Sequence, residues 1–183
     1  QKRAGPAARP SWNGDMILSE EQELIRESAR GFAQNELWPN AAQWDLDSHV
    51  PVDKLRAMGE IGMFGITVPE DWGGAGADTV SFALAMIEIA AGDGGCCTVA
   101  SVMGLMCNAL NRFANDAQKE KYLRPLAGGQ TIGAFALTEP QAGSDASNLR
   151  VRATEAGDTF VLNGTKQFIS AGSIADFAIV FAV

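Results

Sequence analysis

The chain has 183 residues, of which 46% are hydrophobic and 20% charged, and it carries a formal net charge of −8 with a pI near 4.6. That balance describes a globular protein with enough apolar side chains for one core or two small ones. The acidic field excludes a nucleic-acid partner, whose phosphates it would repel. No stretch approaches the roughly 20 consecutive apolar residues of a membrane span.

Residues 1–15 contain Lys2, Arg3 and Arg9, several prolines and glycines, and no acid before Asp15. They read as a mobile leader, residues 1–16 in all, with Met16 a candidate native start. Ser19 followed by Gln22 is a capping-box pattern, and Leu24, Ile25, Ala29, Phe32 and Ala33 recur at helical spacing. This predicts an amphipathic helix interrupted by Pro39. A second, short helix is expected to open near Pro51 and carry Leu55, Met58 and Ile61 inward before Gly62 and Gly65 end it.

Glu70-Asp-Trp-Gly-Gly-Ala-Gly76 is glycine-rich but lacks both the dinucleotide fingerprint and the Walker lysine, so it reads as a sharp turn with Trp72 anchored in the core. Thr79 to Ala91 and Thr98 to Phe113 are almost wholly apolar or small, which predicts two buried helices with Met86, Met103 and Met106 in the core. Cys96, Cys97 and Cys107 read as packed thiols of a reducing compartment, with the adjacent pair at a helix start. His49, the single histidine, has no ligand-spaced partners, so no metal site is expected. Asn115 with Gln118 caps a further helix that ends at Gly128 and Gly129.

From Thr131 the pattern changes to strands and hairpins, which sets a domain boundary near residue 130. Thr131 to Leu137 reads as a strand, followed by Arg150 to Glu155, a Gly157-Asp158 turn, Thr159 to Leu162, an Asn163-Gly164 turn of type I′, and Thr165 to Ile169. The closing run, Asp176 to Val183, exposes Phe177, Ile179, Val180, Phe181 and Val183 unless something covers them, at roughly 1.5 to 3 kcal/mol each. The expectation is therefore that the natural chain continues, and that residues 131–183 are an incomplete domain.

The most informative stretch is Phe135-Ala-Leu-Thr-Glu-Pro-Gln-Ala-Gly-Ser-Asp145, where an apolar strand breaks into a polar turn that can present groups to a ligand. Taken alone it does not choose between a site and a solvated loop, because Thr, Ser, Asp, Gly and Pro punctuate both. However, Thr138, Glu139, Pro140, Ala142, Gly143, Ser144 and Asp145 fit the Thr-Glu-Pro-x-Ala-Gly-Ser-Asp signature. Pro69-Glu-Asp-Trp-Gly-Gly74 and Asn163-Gly-Thr-Lys-Gln-Phe-Ile-Ser170 fall before and after it in matching order. From Leu18 to Val183 the chain resembles the acyl-CoA dehydrogenase family.

The resemblance implies an α+β multidomain fold: an N-terminal all-α helical domain (17–130) and a middle β-barrel domain (131–183, incomplete), with a C-terminal helical bundle missing. It implies FAD as cofactor, and an acyl-CoA substrate oxidised between Cα and Cβ to the 2-enoyl-CoA. A carboxylate takes the α-proton and hydride leaves to flavin N5. By the family pattern, Phe135, Ala136, Leu137, Thr138, Glu139, Pro140, Gln141, Ala142, Gly143 and Ser144 contact the flavin cofactor, joined by Phe168, Ile169 and Ser170. Ser144 would also face the CoA arm. Many members carry tryptophan and threonine where this chain has Phe168 and Ser170; by hairpin spacing alone Phe168 also reads as a core residue. The resemblance puts the catalytic base beyond Val183, Glu139 instead ordering its own turn. It also implies an electron-transfer flavoprotein as partner, a homotetramer, and an intracellular place, the bacterial cytoplasm or the mitochondrial matrix. An acyl-CoA oxidase or flavin monooxygenase of the same fold, and a non-catalytic acyl or CoA-binding module, stay open beside it.

Overall fold

Ser19 starts the first helix as its sequence predicts: its hydroxyl accepts from Gln22 N at 3.2 Å, while the Gln22 carboxamide accepts from Ser19 N at 3.0 Å. The computed structural model describes residues 17–183, so the expected leader, residues 1–16, lies outside the described residues. Helix α1 (Glu20–Phe32) buries Ala29 but leaves Leu24 72% exposed, against the expectation that Leu24 faces inward. Pro39 does not end the helix either. A wide turn, Ala33–Leu37, lets Trp38 N reach back to Ala33 O, and α2 (Trp38–Asp47) starts afresh with Pro39 in its first turn, where no donor is needed.

Helix α3 (Val52–Glu60) buries Leu55 and Met58, yet Ile61 sits just past its end and is 44% exposed. Gly62 then takes a positive φ of 87°, and the chain doubles back so that Ala75 N, Gly76 N and Ala77 N donate to Gly65 O, Val68 O and Ile66 O. Trp72, expected in the core, is half-buried, with Lys119 and Arg124 over its ring at 5.4 and 5.7 Å. Helices α4 (Thr79–Gly92) and α5 (Gly94–Phe113) are capped by Asp78 and Asp93, which accept from Ser81 N at 2.8 Å and Cys96 N at 2.6 Å. Helix α4 packs between α1 and α5, and the Arg30 guanidinium grips the buried Glu88 carboxylate with two bonds of 2.9 and 3.1 Å.

All three cysteines are free thiols, Cys96 and Cys107 buried and Cys97 half-buried; burial pushes Cys107 up to about 12 and raises the other two. After the Asn115 capping box, the short α6 (Asp116–Gln118), a second wide turn and α7 (Arg124–Ala127) complete the helical part.

Four strands follow: β1 (Gly133–Ala136), β2 (Arg152–Ala156), β3 (Thr159–Asn163) and β4 (Phe177–Val180). They form two small sheets rather than a closed barrel, β1 pairing parallel with β4, Gly133 beside Phe177, and β2 antiparallel with β3. Val183 bonds the main chain of Val151 and Ala153, which ties the two sheets together. The predicted strand Thr165 to Ile169 is absent, and Asn163 lacks the positive φ that a type I′ turn requires.

Two glycines bring α3 against the chain that leaves α7 toward the strands. A Cβ on Gly59 would lie 2.3 Å from Gly129 Cα, and Gly129 itself holds φ +71°. Gly59→Ala is expected to destabilise the protein by about 1–3 kcal/mol, read as a lowered denaturant midpoint at unchanged slope. An unshifted midpoint would show that this contact is slack.

Candidate functional site

Glu139 is 3% exposed, and a carboxylate so placed must be matched by donors. Four are present: Lys166 Nζ at 2.8 Å, Val151 N at 3.0 Å, Arg150 N at 2.6 Å and Gln141 Nε2 at 2.6 Å. The Glu139 and Ala142 main chains also bond each other in both directions, closing the Pro140-Gln141 turn. One side chain therefore joins three passes of the chain. Burial alone would raise the Glu139 pKa, but Lys166, the Val151 and Arg150 amides and Gln141 outweigh it and hold the carboxyl at about 2.

The pass that carries Lys166 lies directly against the strand end. Lys166 Nζ also donates to Leu137 O at 2.9 Å, and Gln167 N donates to Thr138 O at 2.9 Å. Beyond this contact the chain makes a short strap, residues 168–171, that begins and ends in left-handed backbone, with φ of 57° at Phe168 and 59° at Ala171. Phe168 is 85% exposed, so the reading of it as a core residue is overturned. Among the described residues, the Thr138, Ser144 and Ser170 hydroxyls make no intramolecular hydrogen bond, and the Thr138 amide makes none to the main chain. Along the strand that leads into this turn, an apolar groove of about 900 Å³ runs between the second half of α5 and the β1–β4 pair, lined by Leu105, Phe113, Tyr122, Phe135, Phe177 and Ile179 among others. That is within the range of cofactor and ligand clefts.

Residues 19–130 match the family model of the acyl-CoA dehydrogenase N-terminal domain, and residues 134–183 that of the acyl-CoA dehydrogenase middle domain. The chain belongs to the acyl-CoA dehydrogenase family. A short-chain specific acyl-CoA dehydrogenase of Clostridium acetobutylicum is 41% identical over 170 residues, 92% of this chain and 45% of that protein. A 3-(aryl)acrylate reductase of Clostridium sporogenes is 42% identical over 175 residues, 91% of this chain and 45% of that protein. A glutaryl-CoA dehydrogenase of Mycobacterium smegmatis, solved in complex with FADH2, superposes with a TM-score of 0.88 at 35% identity, over 93% of this chain and 44% of that one. The chain thus spans a little under half the length of these relatives.

Within this acyl-CoA dehydrogenase fold, the stretch from Phe135 to Ser144 divides into parts with different capacities. Phe135 faces the groove, its ring 5.0 Å from that of Phe181, whereas Ala136 and Ala142 are buried. Leu137 gives its carbonyl to Lys166, and the Glu139 side chain is wholly engaged, so neither group is open to a ligand. Pro140, Gln141, Gly143 and Ser144 are exposed, and Ile169 and Ser170 are half-buried. Sequence reasoning gave no role to Lys166 or Gln167, although both lie inside the Asn163–Ser170 motif. A lysine two residues past an Asn-Gly pair carries no signal of its own.

The depressed pKa of Glu139 has a testable sign. Free in an unfolded chain the group titrates near 4.5, and folded near 2. Its stabilising contribution is complete above the unfolded value and is lost as pH falls through the folded one. The stability gap between the native protein and Glu139→Gln, taken from denaturant midpoints, is expected to be constant at neutral pH and to shrink between pH 4.5 and 2. A gap that stays level across that window would contradict the assignment.

Proposed function

We propose that this chain carries the N-terminal and middle portions of an FAD-dependent enzyme that oxidises an acyl-CoA thioester between Cα and Cβ. The observation that supports this reading best is the 2.9 Å bond from Gln167 N to Thr138 O, which sets two segments of unpaired donors side by side. Those donors suit the group: the pyrimidine edge of an isoalloxazine ring presents acceptors, and the Thr138 amide and the Thr138 and Ser170 hydroxyls can each donate to them. When bound, FAD supplies the hydride chemistry.

The protein's share is binding and orientation. Phe168, exposed beside the turn, offers an aromatic face, and Ser144 offers a hydroxyl to the CoA arm. The groove against Phe135 excludes water from an apolar moiety. Glu139 does not serve as the base, since a group at about pH 2 with four donors has neither the proton affinity nor the free lone pairs. The proton acceptor belongs to the part of the family's length that this chain does not span. Electrons pass to an electron-transfer flavoprotein, and the whole enzyme is a homotetramer in which the exposed Phe160, Val161 and Leu162 of the β2–β3 hairpin gain cover. No helix among the described residues is long and apolar enough to cross a membrane.

A second reading is favoured by the reductase of Clostridium sporogenes, as similar to this chain as the dehydrogenase. It is the same site run in reverse, saturating an activated double bond. An absorbance spectrum of the full-length protein, before and after anaerobic addition of acyl-CoA and enoyl-CoA thioesters, tests both. Bleaching of a flavin band by a saturated thioester supports the dehydrogenase. Recolouring of the chemically reduced band by an unsaturated one, without bleaching by the saturated partner, supports the reductase. Failure to retain or take up FAD would sink both readings.

A further inference from the structure

We infer that Lys166 and Glu139 are positioning residues for the flavin: a buried ion pair that holds the 168–171 strap against the Thr138 turn, so that both donor segments meet the ring in one geometry. The inference rests on the functional reading above and extends it to two side chains that do not themselves face the ligand.

Three polar contacts fasten the leading end of the strap, all at residues 166 and 167, while Ala171 at its other end packs against the hydrophobic core. Lys166 Nζ reaches Glu139 Oε1 at 2.8 Å and Leu137 O at 2.9 Å, and Gln167 N reaches Thr138 O at 2.9 Å. The pair is shielded, with side-chain exposures of 11% for Lys166 and 1% for Glu139, so water competes weakly and removal of either partner leaves the other unmatched. Glu139 is in turn fixed from the opposite side by Arg150 N and Val151 N, so Lys166 fastens to a rigid anchor. The strap needs such fastening. Phe168 and Ala171 occupy left-handed backbone without being glycine, a conformation that persists only where its surroundings impose it. No other side chain of residues 164–171 makes a hydrogen bond or ion pair among the described residues. With Lys166 shortened to an apolar stub, Phe168-Ile169-Ser170 would lose its register on Thr138, and the donors on the two sides of the ring would no longer be aligned together.

The test uses the full-length protein and its Lys166→Met, Lys166→Arg and Glu139→Gln variants, with Ile89→Ala, which opens a cavity in the helical core, as a control that is merely destabilised. Two readouts are taken: hydrogen exchange of the Gln167 amide in the flavin-free protein, and the FAD dissociation constant from flavin fluorescence. Lys166→Met is expected to speed Gln167 exchange and weaken FAD binding about tenfold or more, the usual scale for losing an outer-shell partner. Glu139→Gln should do both to a smaller extent, and Lys166→Arg should restore most of each. Should Lys166→Met fail to fold, Glu139→Gln carries the comparison. FAD affinity unchanged in both Lys166→Met and Glu139→Gln overturns the inference while leaving the functional reading intact. An equal loss of affinity in Ile89→Ala also overturns it, since general destabilisation would then suffice. If the unmodified protein takes up no FAD, the functional reading falls and this inference with it.

Discussion

One joint between helix and strand fixes where everything else in this protein can be. Arg56, on α3, donates to Gln130 O at the end of the helical part and to Asp176 Oδ2, the residue before β4, at 3.2 Å. The same Asp176 oxygen accepts from Ile132 N at 2.8 Å, and Asp176 N donates to Ile132 O at 2.8 Å. A single aspartate thus receives the last helical domain contact and starts the parallel pairing of β1 with β4. Gly59 and Gly129 allow it, since no side chain could stand between those two backbones. Arg56 and Asp176 are both part-exposed, so their charge contributes modestly in energy. What they supply is direction, because the fork of the guanidinium fits one arrangement of its acceptors.

The candidate site hangs from that joint. Strand β1 leaves it, runs across α5, and delivers the Leu137–Thr138 end to a place where Glu139 turns inward and ties down the following chain. The polar atoms left over are the ones a ligand can use. This arrangement separates two jobs within one short sequence: Glu139, Lys166 and Gln167 spend their hydrogen bonds on the protein, and Thr138 and Ser170 keep theirs open. Glu139, whose carboxylate at first sight offers chemistry, is the residue of the motif most thoroughly removed from it.

Much of this was legible in the residues because local rules decide it. Ser19 with Gln22, and Asn115 with Gln118, cap helices through bonds three residues apart, and the glycine pairs at 62, 65, 128 and 129 mark their ends. The failures are equally physical. Pro39 reads as an interruption, but a wide turn shifts the hydrogen-bond register so that the missing donor falls where none is needed. Ile61 lies past the end of α3, where helical periodicity no longer applies, and Leu24 stands on the exposed face of α1. The Asn163-Gly164 pair suggests a hairpin, yet Lys166 and Gln167 have stronger partners on Leu137, Thr138 and Glu139, and those distant bonds override the local turn preference. For the site, the motif located the turn, but which of its atoms face outward depends on contacts across nearly thirty residues that no spacing rule contains.

The parallel pairing of β1 with β4 also bears on how the molecule comes into being. Its partners, Gly133 and Phe177 at one end, are separated by a long excursion that contains the turn, the hairpin and the strap. This pairing must close that whole loop, a cost in chain entropy met before any bond repays it. The turn and the strap lie within that loop, so the pairing of β1 with β4 draws its two ends together. Without β4, strand β1 would lose its parallel partner, and α3 would lose the Asp176 carboxylate that Arg56 holds.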